Sequence, residues 1–342
     1  MAGPPPTTRQ PPAPVPDGSL PDGWIRAELA ALSACGPVRE ENEDRLAWVI
    51  LGDAASVRSP GTDEVVAAQL EGPGIAIAIA DGLGGHSYGE LASRTAIGLL
   101  LRRLTRPDAV SKPGELLRAG FEDANEACLA GDLVDPAGFD RDPLGAEPRT
   151  AREQRLAPER LAREAAAGSG HGEVEPTARG GQTTLTAIAL TGRSGSVAHV
   201  GDTRLFRLRE GMMELLTHDH TQARELLRMR LIKPEQVLTH PGRHLLTRSI
   251  GGDLVVRVDE RPSPPALGDA YLLCSDGLWS SITSWEAHKA LTGDLAAGVA
   301  ELVAHSAAAG GDDNASVIAL RVTALAGGPE PTSPGWRLPW RP

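Results

Sequence analysis

Lysine is nearly absent from this chain. Of 342 residues only Lys112, Lys233 and Lys289 are lysines, so arginine supplies almost all of the positive charge. Lysine and arginine together number 34 against 45 aspartates and glutamates, which gives a net charge of −11. A negative excess of this size opposes binding to nucleic acid or to an anionic lipid surface. We therefore predict that neither nucleic acid nor a membrane is a partner.

Aromatic residues, cysteines and long apolar runs are also scarce. Aromatics make up 3% of the chain, so aliphatic side chains must fill its core. The three cysteines, Cys35, Cys128 and Cys274, lack metal-binding spacing and cannot all pair, and we expect each to be a small buried residue. No run reaches the roughly 18 apolar residues of a membrane span, and the first residues lack a signal-peptide pattern. These absences predict a cytoplasmic protein.

Composition divides the chain into a central domain and two tails. Residues 1–22 are rich in proline and predict an irregular tail, and residues 326–342 resemble them, with Trp336 and Trp340 near the end. The domain between them spans 23–325. Residues 131–179 have little apolar periodicity and predict a long surface insertion. Residues 52–72 predict a second, shorter insertion that lengthens a hairpin.

The apolar pattern between the tails predicts a mixed succession of strands and helices. Strands are predicted at 26–34, 46–51, 74–80, 184–190, 196–200, 205–209, 255–258, 270–274 and 315–322. Helices are predicted at 89–104, 113–130, 221–230, 284–291 and 294–309. Turns rather than regular crossover helices follow most strands, which favours an α+β fold with antiparallel sheets. Residues 199–211 in particular predict two strands across a tight turn.

Five short acidic segments stand at the ends of these predicted strands. They are Glu43-Asp44, Asp81-Gly82, Asp202, Asp276-Gly277 and Asp313-Asn314. Carboxylates gathered at the ends of buried strands repel one another and raise each other's pKa unless cations lie between them. Hard divalent cations such as Mg²⁺ or Mn²⁺ prefer such oxygen ligands. Taken singly, an ordinary turn explains Asp81-Gly82 equally well, and an ordinary charge run or turn is the better explanation of Glu43-Asp44 and of Asp202.

Two of the segments carry additional chemistry. In the stretch ADGLGGHSYGELAS, glycines allow close approach of the backbone to a ligand, and the Asp81 carboxylate and Gly82 carbonyl can both bind a cation. In VREENEDR, the planar guanidinium of Arg39 suits a phosphate group.

In their order and spacing the motifs resemble the metal-dependent serine/threonine protein phosphatases of the 2C type, in their bacterial form. The resemblance runs from about residue 29 to 322 through GPVREENED, ADGLGGHSYGELAS, GGQTTLTAIAL, AHVGDTRLFRLREG, LTHDHT, LLTRSIGG, LLCSDGL and GGDDNASVI. It implies a central antiparallel β-sandwich flanked by helix pairs, with a metal site at one end. It also places a flap, residues 217–248, beside the active site.

The resemblance implies roles for individual residues. Asp81 would bridge two metal ions and Gly82 would offer its carbonyl, with Asp276 and Asp313 completing the first ion's shell. Asp44, with Glu43 beside it, would serve the second ion. Asp202 matches the position of a ligand to a third ion, and Arg39 matches the phosphate-binding arginine. The implied cofactors are therefore two Mn²⁺ or Mg²⁺ ions, with a third site beside them.

This chain departs from the family pattern at the general acid. Leu83 follows the Asp-Gly pair where eukaryotic members carry a histidine, so the acid stays unassigned, and His86 is expected to be structural. No cysteine lies in a phosphate-binding loop, which argues against covalent catalysis.

The implied reaction is hydrolysis of phosphoserine and phosphothreonine in proteins by a metal-bridging water, without a phosphoenzyme. The implied protein is a monomer that opposes a serine/threonine kinase. Two alternatives remain at this point: a catalytically silent regulatory module with the same fold, and a metal-dependent hydrolase of small phosphate esters.

Overall fold

The computed structural model describes residues 20–61, 63–83, 88–134, 144, 180–237 and 239–326. The predicted tails, apart from their residues nearest the domain, lie outside these ranges, as do His86 and nearly all of the 131–179 insertion. The predicted tail boundaries stay predictions. None of the described helices is both long enough and apolar enough to span a membrane.

In the part of the chain that the structure describes, thirteen strands form two large antiparallel sheets and one small one. The strands are β1 Ile25–Ala34, β2 Arg45–Ile50, β3 Val66–Gly72, β4 Gly74–Ala80, β5 Gly82–Leu83, β6 Gln182–Thr183, β7 Leu185–Thr191, β8 Gly195–Val200, β9 Arg204–Arg209, β10 Met212–Leu215, β11 Asp259–Pro262, β12 Ala270–Cys274 and β13 Ala315–Leu325. One sheet has the order β10-β9-β12-β13-β1-β3, the second β11-β8-β7-β4-β2, and β5 pairs with β6.

Six α-helices accompany the sheets within the described residues. They are α1 Tyr88–Leu104, α2 Pro113–Ala130, α3 Gln222–Arg228, α4 Asp276–Trp279, α5 Ser284–Thr292 and α6 Leu295–Ala308. Their ends follow local signals: α2 starts at a proline and stops at Gly131, whose φ of 70° suits a glycine. The Thr283 side chain caps α5, and Glu286 completes the capping box.

Successive side chains along a strand point to opposite faces of its sheet, and this alternation explains the layered packing. In β4 the isoleucines at 75, 77 and 79 face the core between the two sheets, whereas the intervening alanines face α1 and α2. A third core, which includes Leu272, Val299 and Leu302, lies between the six-stranded sheet and the pair α5 and α6. The arrangement is a β-sandwich with a helix pair on each face, which confirms the predicted fold class.

Two predictions about local structure were wrong. Residues 255–258 are not a strand, and Val255 is exposed. The strand follows at Asp259–Pro262, an edge strand whose polar sequence lacks the apolar pattern used to predict strands. One third of the predicted insertion at 52–72 is β3, Val66–Gly72, which pairs with β1.

The two strands predicted across a tight turn at 199–211 are present as β8 and β9, but they do not pair with each other, because they belong to different sheets. The turn between them crosses the sandwich. Gly201 adopts a φ of +115° there, and a Cβ on it would lie 2.5 Å from the Thr184 side chain. The crossing places Asp202 at the end of the sandwich rather than on a hairpin tip.

Candidate metal and phosphate site

The predicted acidic segments meet at one end of the sandwich. Asp81 follows β4 and Asp44 precedes β2, and the antiparallel pairing of Arg45 with Ala80 brings these two ends together. Asp276 follows β12 and Asp313 precedes β13, which are likewise antiparallel neighbours. Strand ends that are far apart in sequence therefore deliver their carboxylates to one place.

A cavity of about 830 Å³ opens at this end. Seven of the eight predicted site residues line it: Arg39, Glu43, Asp81, Gly82, Asp202, Asp276 and Asp313. The eighth, Asp44, lies behind the cavity wall with 1% of its surface exposed.

The main chain fixes Asp81 at the bottom of the cavity. Its amide donates to Thr184 Oγ1 over 2.9 Å, and its carbonyl accepts from the Thr183 hydroxyl and the Thr184 amide, each over 2.8 Å. Burial, followed by the nearby carboxylates with Asp44 first, raises the pKa of Asp81 well above its ordinary value. A Cβ on Gly82 would lie 2.3 Å from the Gly89 carbonyl oxygen, so only glycine fits there.

Asp44 is oriented by a serine that the sequence reasoning missed. Ser275 Oγ donates to Asp44 Oδ2 over 2.7 Å and accepts from the Ser316 amide over 2.9 Å. Burial raises the pKa of Asp44 to about 7, while the hydroxyls of Ser316 and Ser275 act in the opposite direction. Asp44 is therefore held in a fixed position close to Asp81 and Asp276.

A wider polar network supports the same region. Ser33 Oγ and Ser316 Oγ are 2.7 Å apart, and Asn42 Nδ2 donates to Ser33 Oγ over 2.8 Å. Asn314 Oδ1 accepts from the Glu43 amide over 3.0 Å. The only sequence signal for these residues is a polar side chain next to each acidic segment, which is also usual in ordinary turns.

Glu43 points toward the start of α1. A Cβ on Gly89 would lie 2.6 Å from Glu43 Oε1, and this buried oxygen has no hydrogen-bond partner among the described residues. Burial is the first cause of a raised pKa at Glu43. A buried carboxylate oxygen without a donor is the kind of atom that a cation, or a water bound to one, satisfies.

Asp202 is buried beneath the flap. Its carbonyl accepts from Trp279 Nε1 over 2.9 Å. Burial, followed by the charge of Asp276, raises its pKa well above the ordinary value. Asp202 therefore lies close to Asp276, in the turn that crosses between the two sheets.

An arginine and a histidine contact the two remaining carboxylates. Arg39 Nη2 lies 2.8 Å from Asp313 Oδ2, and His244 Nδ1 lies 3.4 Å from Asp276 Oδ2. Within the described residues, no three acidic, histidine or cysteine side chains converge on a common point as a ready-made coordination group. The structure therefore gathers the predicted ligands around one cavity, with Asp313 in contact with Arg39 and Asp276 in contact with His244.

Residues of the flap form one wall of the cavity, and none of them was among the predicted site residues. Arg243, His244 and Leu246 line the cavity. The base of the flap is fixed to the Asp202 turn, because the His220 amide donates to the Gly201 carbonyl over 2.7 Å and the Gly201 amide donates to His220 Nδ1 over 3.1 Å.

The donor set suits hard divalent cations. It consists of carboxylate oxygens and the Gly82 carbonyl, without a thiol, and buried carboxylates with raised pKa values gain most from a positive ion between them. Burial raises the pKa of the Cys128 and Cys274 thiols to about 12, so neither is a nucleophile at neutral pH. Cys35, expected to be buried, is partly exposed.

The family model described as protein phosphatase 2C matches residues 53–307, about three quarters of the chain. The matched range includes Asp81, Asp202 and Asp276, while Arg39 and Asp313 fall outside it.

Among curated relatives, the serine/threonine protein phosphatase PstP of Mycobacterium tuberculosis is 30% identical over 279 residues, which is 81% of this chain and 45% of that protein. The chain thus spans about half the length of this relative. A crystal structure of the M. tuberculosis enzyme has a TM-score of 0.62 at 26% identity, covering 88% of this chain and 100% of that one. The catalytic domain of PstP in complex with two manganese ions has a TM-score of 0.56 at 25% identity, covering 88% and 100% of the two chains.

Proposed function

The chain belongs to the protein phosphatase 2C family, and from this membership we propose that it is a metal-dependent protein phosphatase acting on phosphoserine and phosphothreonine. The observation that carries the proposal is the meeting of Arg39, Asp81, Asp202, Asp276 and Asp313, drawn from five separate segments, around one cavity. A regulatory module without turnover has no chemical need for such a set.

The proposed ligands of two Mn²⁺ or Mg²⁺ ions are Glu43, Asp44, Asp81, Gly82, Asp276 and Asp313, with Asp202 for a third ion. When bound, such ions supply a water acidic enough to attack phosphorus at neutral pH, and they neutralise phosphoryl oxygens. The chain's own part is positional. Thr184 holds the Asp81 backbone and Ser275 holds the Asp44 carboxylate, so the ligands need little rearrangement.

Arg39 is the proposed phosphate-binding residue. Its guanidinium lies at the cavity wall and can contact two oxygens of a phosphoryl group at once. Asp313 occupies one of its nitrogens in this structure. Exchange of Asp313 between Arg39 and a metal ion would free that nitrogen for the substrate.

The test is hydrolysis of a phosphothreonine peptide with Mn²⁺, followed as released phosphate. We expect turnover by the wild type and at least a hundredfold lower kcat for Asp276→Asn, which replaces an anionic ligand by a neutral one of the same shape. Asp253→Asn is the matched control, since this exposed carboxylate lies outside the cavity. A sugar phosphate tested in parallel separates protein phosphatase activity from hydrolysis of small esters.

The further proposals are a monomer, a cytoplasmic location and an opposing serine/threonine kinase. Three cysteines without a disulfide fit a reducing compartment. Hydrolysis of phosphoproteins consumes the product of a kinase reaction, which supports the last proposal. Turnover without any hydrolysis of phosphopeptides would refute it.

A further inference from the structure

A second, smaller cavity adjoins the catalytic one beneath the flap. It has a volume of about 100 Å³, and its lining residues include Arg204, Asp219 and Val237. Arg243, His244 and Ser280 line both cavities, so the two are neighbours that share one wall. We call it the side cavity. Its size suits one small side-chain group rather than a separate ligand.

The charge of the side cavity is opposite to that of the catalytic cavity. Arg204 donates twice to Asp219, over 2.9 and 2.7 Å, and Arg224 donates to the same carboxylate over 3.1 Å. Burial alone would raise the pKa of Asp219, but these arginines keep it below its ordinary value. The lone carboxylate of the side cavity is thus outweighed by arginines, whereas six carboxylates line the catalytic cavity.

Arg243 stands at the junction of the two cavities. It is exposed, and no described carboxylate lies within ion-pair distance of it. Its turn, Pro241–Arg243, is fixed against α3: a Cβ on Gly242 would lie 2.1 Å from the Gln222 side chain, and the Gln222 amide donates to the Leu245 carbonyl over 2.8 Å. The backbone of the turn is therefore fixed, and it places Arg243 at the junction of the two cavities.

The floor of the side cavity is rigid. The Arg204 guanidinium lies 3.4 Å from the centroid of the Trp279 ring, and Trp279 in turn donates to the Asp202 carbonyl. Val237 supplies an apolar wall and is 5% exposed. This floor can contact a ligand without first being ordered by it.

We propose that the side cavity binds an anionic group of the phosphoprotein substrate beside the scissile phosphate, and that Arg243 is the specificity-determining residue. The inference rests on the proposed phosphatase function and names its substrate class: phosphoserine or phosphothreonine with a carboxylate or a second phosphate nearby in the sequence. The shared chemistry is a negatively charged oxygen group that a guanidinium binds through paired hydrogen bonds. Because carboxylates line the catalytic cavity, the arginines of the side cavity favour an anionic oxygen group of the substrate only on that side.

The test uses a panel of phosphothreonine peptides of equal length. A parent peptide has glutamine at each flanking position, single replacements introduce glutamate at successive positions on either side, and a second series introduces phosphothreonine instead. We expect kcat/KM of the wild type to rise about five- to tenfold at one flanking position, the size of one partly exposed charge-assisted contact. The two series distinguish a carboxylate from a phosphate as the preferred group.

Arg243→Ala should reduce this preference to about one, and Arg243→Lys should keep part of it. The ratio between two peptides cancels any general effect of the substitution on turnover. The matched control is Arg228→Ala, since Arg228 is an exposed flap arginine that lines neither cavity; it should keep both the wild-type ratio and the wild-type turnover.

The outcomes separate the two levels of the proposal. Equal kcat/KM for every peptide, with hydrolysis intact, overturns the side-cavity inference and leaves the phosphatase function standing. A preference that Arg243→Ala does not change overturns the role of Arg243. Failure to hydrolyse any phosphopeptide, while an aryl phosphate is still hydrolysed, overturns the proposed function itself.

Discussion

Ser275→Ala tests whether a buried hydroxyl positions the carboxylate of Asp44. The substitution removes the donor to Asp44 Oδ2 and leaves the buried Ser316 amide without its acceptor. A buried polar group left unpaired costs about 1–3 kcal/mol, and a hydrogen bond to a charged group contributes about 1.5–3 kcal/mol. Because the two losses share one atom, we expect the free energy of unfolding to fall by about 2–4 kcal/mol.

The assay is urea unfolding of metal-free protein, combined with Mn²⁺ titration. In thermal unfolding, each kcal/mol lost lowers the melting temperature by roughly 2–4 °C in a domain of this size. We also expect Mn²⁺ affinity to fall about 10- to 100-fold, because an unsupported Asp44 carboxylate no longer points in one direction. Ser281→Ala is the control, since that hydroxyl only donates to the Leu278 carbonyl in its own turn.

Asp44→Asn should have the opposite effect on the stability of the metal-free protein. It removes a buried charge whose neighbours are Asp276 and Asp313, so metal-free stability should be kept or increased while Mn²⁺ binding is lost. If Ser275→Ala leaves both unfolding and Mn²⁺ affinity unchanged, or if Asp44→Asn destabilises the metal-free protein as much as Ser275→Ala does, the positioning role of Ser275 is wrong.

Three further predictions concern the fold around the site. Burial, with His220 nearby, lowers the pKa of His199 to about 3, so only the unfolded chain takes up this proton below about pH 6.5. Stability should therefore fall as the pH drops from 6.5 toward 4, and His199→Gln should show a shallower fall in urea unfolding at pH 7, 6 and 5. Gly82→Ala should destabilise the protein by on the order of 2 kcal/mol or more, whereas Gly61→Ala, with no atom within 4 Å of the added Cβ, should not; equal melting temperatures would contradict the close packing at Gly82. Mn²⁺ at a hundred times its Kd should stabilise the fold by about 2.7 kcal/mol over chelated protein, and an unchanged melting curve would rule out a shared metal site.

Strand alternation and helix caps made most of the elements predictable. The strand Gly74–Ala80 and the helix Pro113–Ala130 have the boundaries that the pattern predicted. Both signals are local, since a period of two residues and a proline–glycine frame need no knowledge of distant contacts. The strand at Asp259–Pro262 was missed because an edge strand lacks this apolar alternation.

The acidic site residues were predictable as a set but not in their surroundings. Asp81 and Asp276 stand directly after apolar strands, a position that can be seen in the sequence. The pairing of Arg39 with Asp313 joins residues 274 positions apart. No local pattern specifies such a contact, because it depends on which strands become neighbours and in which register.

The sequence by itself determined the fold class, the order of most elements and the carboxylates that gather at the strand ends, since those depend on periodicity and on the chemistry of residue types. Only the tertiary structure decided that Asp202 crosses between sheets, that Ser275 orients Asp44, and that Arg243 separates an acidic cavity from a basic one. Serine and arginine are ordinary surface residues in a sequence. Their roles depend on the charges that folding brings within a few ångströms of them.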